Sequence, residues 1–171
     1  MRLSRHLPTL LLTSAFLFNL PASAEASQSQ ASQSPAPQSG PVVVEDTSPA
    51  DFPTTLSKLK AQLEADGWNL VAEIDLGARL AKKGVEIPGG LVILELTSGK
   101  NAVPLLKQDD TRYVSALMPC SVSVYGKSDG SVMVSRMNAG LMAGMLEPRV
   151  AQVMQKSAAG LDQTIARALT R

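Results

Sequence analysis

Cys120 is the only cysteine of this 171-residue chain, and every methionine after the initiator (Met118, Met133, Met137, Met142, Met145 and Met154) falls in its last third. A thiolate among thioethers is a soft ligand set that suits Cu(I). Met118 and Cys120 share one strand parity in the stretch Leu117 to Tyr125, and Met133 and Met137 share another in the strand that follows. These four residues are the candidate metal ligands. The simpler reading is packing, because aromatics make up only 4% of the chain and methionine is a flexible filler of apolar cores. On that reading Cys120 is a small hydrophobe facing inward with Val122 and Val124, as free cysteine usually is. No Cys-x-x-Cys pair exists, which removes an intrachain redox cycle and haem attachment.

Ionisable groups supply fewer options. Glu95 interrupts the apolar run Leu91 to Leu96 and is the acid to watch, since a partly buried carboxylate has a raised pKa. Together with Cys120 and Met118 it completes the candidate ligand-binding residues. Lys82, Lys83 and Arg136 could receive an anion, and solvated surface charge explains them equally well. The only histidine is His6. It lies in a segment read as a removable leader, so a histidine-based nucleophile system and histidine-ligated zinc are both excluded from the mature protein.

That leader is Met1 to Ala24: Arg2 and Arg5 precede a short apolar run from Leu7 to Leu20, and Ala22-Ser23-Ala24 offers a small-x-small cleavage site. The apolar run is too short to be a comfortable membrane span. A cleaved signal peptide predicts a periplasmic or secreted protein with no membrane attachment afterwards. Residues 25–41, rich in Ser, Gln, Ala and Pro without one large apolar side chain, read as a disordered linker. Residues 42–171 are read as one domain. Losing Arg2 and Arg5 from 16 basic residues, against 15 acidic, turns the formal charge from +1 to −1. Such a surface is a poor match for a nucleic-acid backbone, and none is expected as a partner.

The elements that must position these residues follow from periodicity. Val42 to Val44 reads as a short first strand, with Asp46 to Asp51 as a loop. Phe52, Leu56, Leu59 and Leu63 recur at helical spacing, and Gly67 supplies a C-terminal stop. Trp68 to Leu76 alternates, placing Leu70, Ala72, Ile74 and Leu76 on one strand face. Leu91 to Leu96 reads as a central strand with both faces at least partly covered. Ala102 to Lys107 is a short helix, whereas Arg112 to Leu117 fits either a helix extension or an irregular approach to the next strand. Cys120 to Tyr125 and Ser131 to Met137 form a hairpin around Asp129-Gly130. Pro148 opens a long amphipathic helix carrying Val150, Val153, Met154, Ser157, Ala158, Leu161, Ile165 and Ala168 on one face.

This order, with Glu73-Ile74-Asp75, Lys83-Gly84-Val85, Met118-Pro119-Cys120 and Val134-Ser135-Arg136-Met137-Asn138, resembles the domain of unknown function 302 family over roughly Val42 to Leu169. The resemblance implies an α+β, TATA-binding-protein-like two-layer fold, with helices packed on one face of an antiparallel sheet, and frequent pairing as homodimers. It implies no reaction. The sequence therefore predicts an exported, non-catalytic module that binds a small molecule or a protein partner, with no cofactor. The alternative is a soft-metal or thiol-redox protein using Cys120 and nearby methionines.

Overall fold

The computed structural model describes residues 40–170. The expected signal peptide and linker residues 25–39 lie outside the described residues. The chain runs β1 (Val43–Ser48), α1 (Phe52–Ala65), β2 (Asn69–Asp75), α2 (Leu76–Ala81), β3 (Leu91–Thr97), α3 (Gly99–Leu106), a 3-10 helix (Arg112–Leu117), β4 (Cys120–Gly126), β5 (Val132–Met137), α4 (Ala139–Ala143) and α5 (Pro148–Ala168). The strands form one five-stranded sheet in the order β1-β5-β4-β3-β2. Every pairing in it is antiparallel. This is the expected α+β two-layer arrangement.

The core explains which face carries the helices. Alternation sends Val92, Leu94 and Leu96 of β3, Val122 and Val124 of β4, and Val132 and Val134 of β5 to one side. There they pack with Leu59 and Leu63 of α1 and with Leu161, Ile165 and Ala168 of α5. Each fully buried aliphatic side chain contributes about 1.5–3 kcal/mol, so this cluster is what holds helix layer to sheet. The start of α5 belongs to a second, smaller cluster, where Val150 meets Leu105 of α3 and Val114 of the 3-10 helix. One helix thus bridges two apolar centres.

Helix ends follow local chemistry. The Asp51 carboxylate accepts from Thr54 N at 2.9 Å, capping α1, and Pro53 occupies its first turn. Gly67 (φ 78°) turns the chain out of α1, with Trp68 N donating to Leu63 O at 2.9 Å. The Asp66 carboxylate then ties α1 to α5, accepting from Arg167 Nη2 at 2.6 Å and Thr164 Oγ1 at 2.7 Å.

Several elements depart from what periodicity suggests. The first strand continues through Ser48, because β5 offers a complete antiparallel partner from Met137 to Val132 and the ladder overrides the low strand propensity of Glu45 and Asp46. In β2 the register shifts between Leu70 and Ala72: Leu70 pairs with Leu96 and Ala72 with Glu95. The bulge breaks the alternation read across Leu70, Ala72 and Ile74, and Leu76 leaves the strand to begin α2. By contrast β3 agrees with its apolar run: it is an interior strand between β4 and β2, its helix-facing side buried and its other side half-covered. Arg112–Leu117 resolves as the 3-10 helix, and α3 begins at Gly99 with Pro104 in its interior.

The Asp66 ties give a pH signature. The Arg167 hydrogen bond, then that from Thr164, holds its carboxyl below the ordinary 3.8. A depressed folded-state pKa stabilises the protein above the unfolded value and stops doing so as pH falls through the folded one. In urea melts, Asp66→Asn should therefore lower the midpoint fully at pH 7. Its deficit against wild type should shrink below about pH 4. A deficit that stays constant down to the acid limit would assign the effect to something other than the charge.

Candidate functional site

α5 crosses the sheet end on small side chains. Between Met154 and Leu161 its inward face carries Ser157 and Ala158, too short to fill the space above the strands. The result is a cavity of about 110 Å³ that reaches the surface between the two apolar clusters. Val44, Leu96, Cys120 and Arg136 bring all the strands but β2 to its floor, and Met154, Ser157 and Ala158 form its roof. Leu105, Val114 and Met118 close one side, and Met142 of α4 contributes another. Trp68, 9% exposed at the head of β2, also touches it.

The sequence candidates divide over this site. Cys120 and Met118 line the cavity together, and Met137 borders it while standing 51% exposed at the end of β5. Met142 and Met154 join them. Met133 does not: it sits on the face away from the helices, where Thr47 Oγ1 donates to its sulfur at 3.6 Å. On that same face the Tyr125 hydroxyl donates to the Glu45 carboxylate across β5, and Met133 is only 7% exposed there. Strand alternation therefore separates Met133 from Cys120, and the four candidate metal ligands do not converge. Met145 is 84% exposed. Among the described residues no group of three or more His, Cys, Asp or Glu could hold a metal ion.

Glu95 also faces away from the helices, half-covered, and its Oε1 accepts from Ser121 Oγ at 2.9 Å across the β3–β4 ladder. Cys120 takes the inward direction expected for it, with Val122 and Val124. Burial, and then the negative charge of Glu95, push its thiol above the ordinary 9.0. The neutral thiol is the stable form at physiological pH, so Cys120 presents a polarisable apolar surface and not a nucleophile.

Arg136 is where sequence reasoning went furthest astray, since neither solvated charge nor a vacant anion receptor describes it. Alternation points it inward beside Val134, and its side chain is only 8% exposed. Its Nε donates to Asp162 of α5 and its Nη1 to Asp46 of β1, both at 2.6 Å. A guanidinium in low dielectric needs such partners, and these two occupy it from opposite sides. Arg136 and Asp162 are the charged residues among the described lining. No buried side-chain nitrogen or oxygen among the described residues lacks a hydrogen-bond partner. The cavity thus has mainly apolar and sulfur-bearing walls, a few uncharged polar groups including Ser98, Asn101 and Ser157, and one ion-paired charged corner. A clue lay in the α5 stripe, where Ser157 and Ala158 interrupt larger side chains at helical spacing.

The thiol's setting predicts slow chemistry. In the folded protein at pH 7.5–8, Cys120 should react with an aromatic disulfide reagent at least about tenfold more slowly than in denaturant. A rate equal to that of the unfolded chain would mean an accessible thiolate.

Comparison with known proteins places this geometry. Residues 44–171 match the domain of unknown function DUF302. No curated protein matches. Among solved structures, an uncharacterized conserved DUF302 protein from Bacillus stearothermophilus superposes with a TM-score of 0.68 at 18% identity, covering 75% of this chain and 99% of that one. At that identity the likeness speaks for the fold alone. The sheet order, the helix layer and the match over residues 44–171 lead to one statement: the chain belongs to the DUF302 family.

Proposed function

We propose that this protein is an exported, non-catalytic module that binds a small apolar molecule in the cavity beneath α5. The observation that carries the reading is the cavity itself: space for a guest, walls mostly of Leu, Val, Met, Trp and Cys side chains with a few uncharged polar groups such as Asn101 and Ser157, and a single charged cluster that is already ion-paired. An enclosed apolar cavity of about 150 Å³ in another protein takes up benzene or xenon, which sets the size of guest to expect. Leaving so much unfilled space in a core lowers stability by tens of calories per cubic ångström, which favours a functional reason for it. The lining also lacks the parts of a catalytic device. Cys120 is protonated at physiological pH, no histidine is present among the described residues, and the one carboxylate in the wall, Asp162, is committed to Arg136.

Benzyl alcohol is a suitable probe, with a ring for the cavity and a hydroxymethyl group for its mouth. Titration followed by amide chemical shifts should move residues of α5, β4 and the 3-10 helix in a saturable manner. Ala158→Leu, which fills the roof, should weaken binding by about tenfold or more, a loss of roughly 1.4 kcal/mol, while the spectrum stays folded. Shifts scattered over the surface, or unaltered binding in Ala158→Leu, would remove the cavity as the site.

A soft-metal reading retains one favourable observation, the presence of Cys120, Met118, Met142 and Met154 around one cavity. It must displace a proton from a thiol that burial and Glu95 both hold protonated, so it ranks second. Export rests on the leader sequence. Protein recovered from the periplasm or medium of an expressing bacterium should begin at Glu25 by intact mass, and a chain retaining Met1 in the cytoplasm would contradict it.

A further inference from the structure

Arg136 sits at the cavity wall, and a lone buried guanidinium there would make the site a receptor for carboxylates or phosphates. It is not alone. Its Nε and Nη1 each hold a carboxylate oxygen at 2.6 Å, Asp162 from above and Asp46 from the edge strand. The cluster therefore carries one positive and two negative charges. The Nη2 donors carry neither aspartate, but an anionic guest reaching them would lose its own hydration and face a cluster whose net charge is already negative, with two carboxylates beside it. An uncharged guest meets none of these costs.

We propose that the cavity selects uncharged, ring-sized molecules and turns carboxylates away, and that Asp162 and Asp46 set this preference by occupying Arg136. The inference rests on the cavity being the ligand site. It makes the two aspartates specificity residues: their function is to keep a guanidinium, needed on β5 to fasten β1 and α5 together, from acting as an anion hook. Of the two, Asp162 is the better placed for this, since it lines the cavity itself and is 56% exposed, so its replacement leaves little buried structure behind. Glu95, on the far side of the sheet behind Cys120, adds negative potential from below.

The test compares benzyl alcohol with benzoate, which share a ring and differ in charge. Wild type should bind the alcohol at least about tenfold more tightly than benzoate. Asp162→Asn frees one edge of Arg136, so its affinity for benzoate should rise about tenfold while that for the alcohol changes less than about twofold. Asp162→Glu, which can restore the ion pair, should return the wild-type preference, and Asp46→Asn should shift it in the same direction as Asp162→Asn. Equal affinity of wild type for both probes, or a ratio unmoved by either asparagine variant, would overturn the specificity role while leaving the cavity as a binding site. Absence of binding by both probes would overturn the cavity reading and this inference together.

Discussion

A buried guanidinium is hard to place in an apolar core, and here that constraint organises three separate parts of the chain. Arg136 lies on the helix-facing side of β5, so its charge must be matched from whatever packs against it. Asp46 on β1 and Asp162 on α5 do so from sequence positions on either side of it. The first fastens the edge strand, whose acidic residues would otherwise favour a loop. The second fixes the middle of α5 over the sheet end. Removing one partner would leave charge unpaired in a place water reaches poorly, so strand, edge and helix are held to one arrangement.

The cavity follows from where α5 is fixed. Its C-terminal half is anchored by Leu161 and Ile165 in the main core, and its N-terminal half by Val150 in the smaller cluster. Between these anchors the helix cannot sink toward the strands, and Ser157 and Ala158 do not reach them. The unfilled space is thus a product of two rigid supports and a run of small side chains. Cys120, Met118, Met142 and Met154 soften its walls with polarisable surface that can adapt to a guest.

Much of the fold was legible because burial leaves periodic marks. The α1 stripe of Leu59 and Leu63, the inward parity of Cys120, Val122 and Val124, the Asp129-Gly130 turn and the Pro148 start of α5 all follow from local rules. What escaped depends on partners distant in sequence. Val43–Ser48 is a strand because β5 pairs with it, and the β2 alternation fails because a bulge intervenes. The site was half legible. Cysteine and methionine drew attention to the correct wall, yet strand parity alone could not say that Met133 lies across the sheet. The identity of Arg136 as an internal ion-pair centre was hidden because its partners lie 90 and 26 residues away.

The β2 bulge has a further consequence for how copies of this protein meet. β1 and β2 are the two sheet edges, the places where another strand could add by main-chain pairing. On β2, the shift between Leu70 and Ala72 throws the exposed Val71 out of line, so an incoming strand loses its hydrogen-bond rhythm midway along the edge. On β1, Glu45 and Asp46 place like charges opposite one another in any antiparallel self-pairing near their centre. Each edge thus carries its own obstacle to indefinite strand-by-strand growth. These obstacles stand beside the exposed Val42, Val43, Leu70 and Val71, the apolar side chains that strand-by-strand addition would otherwise recruit.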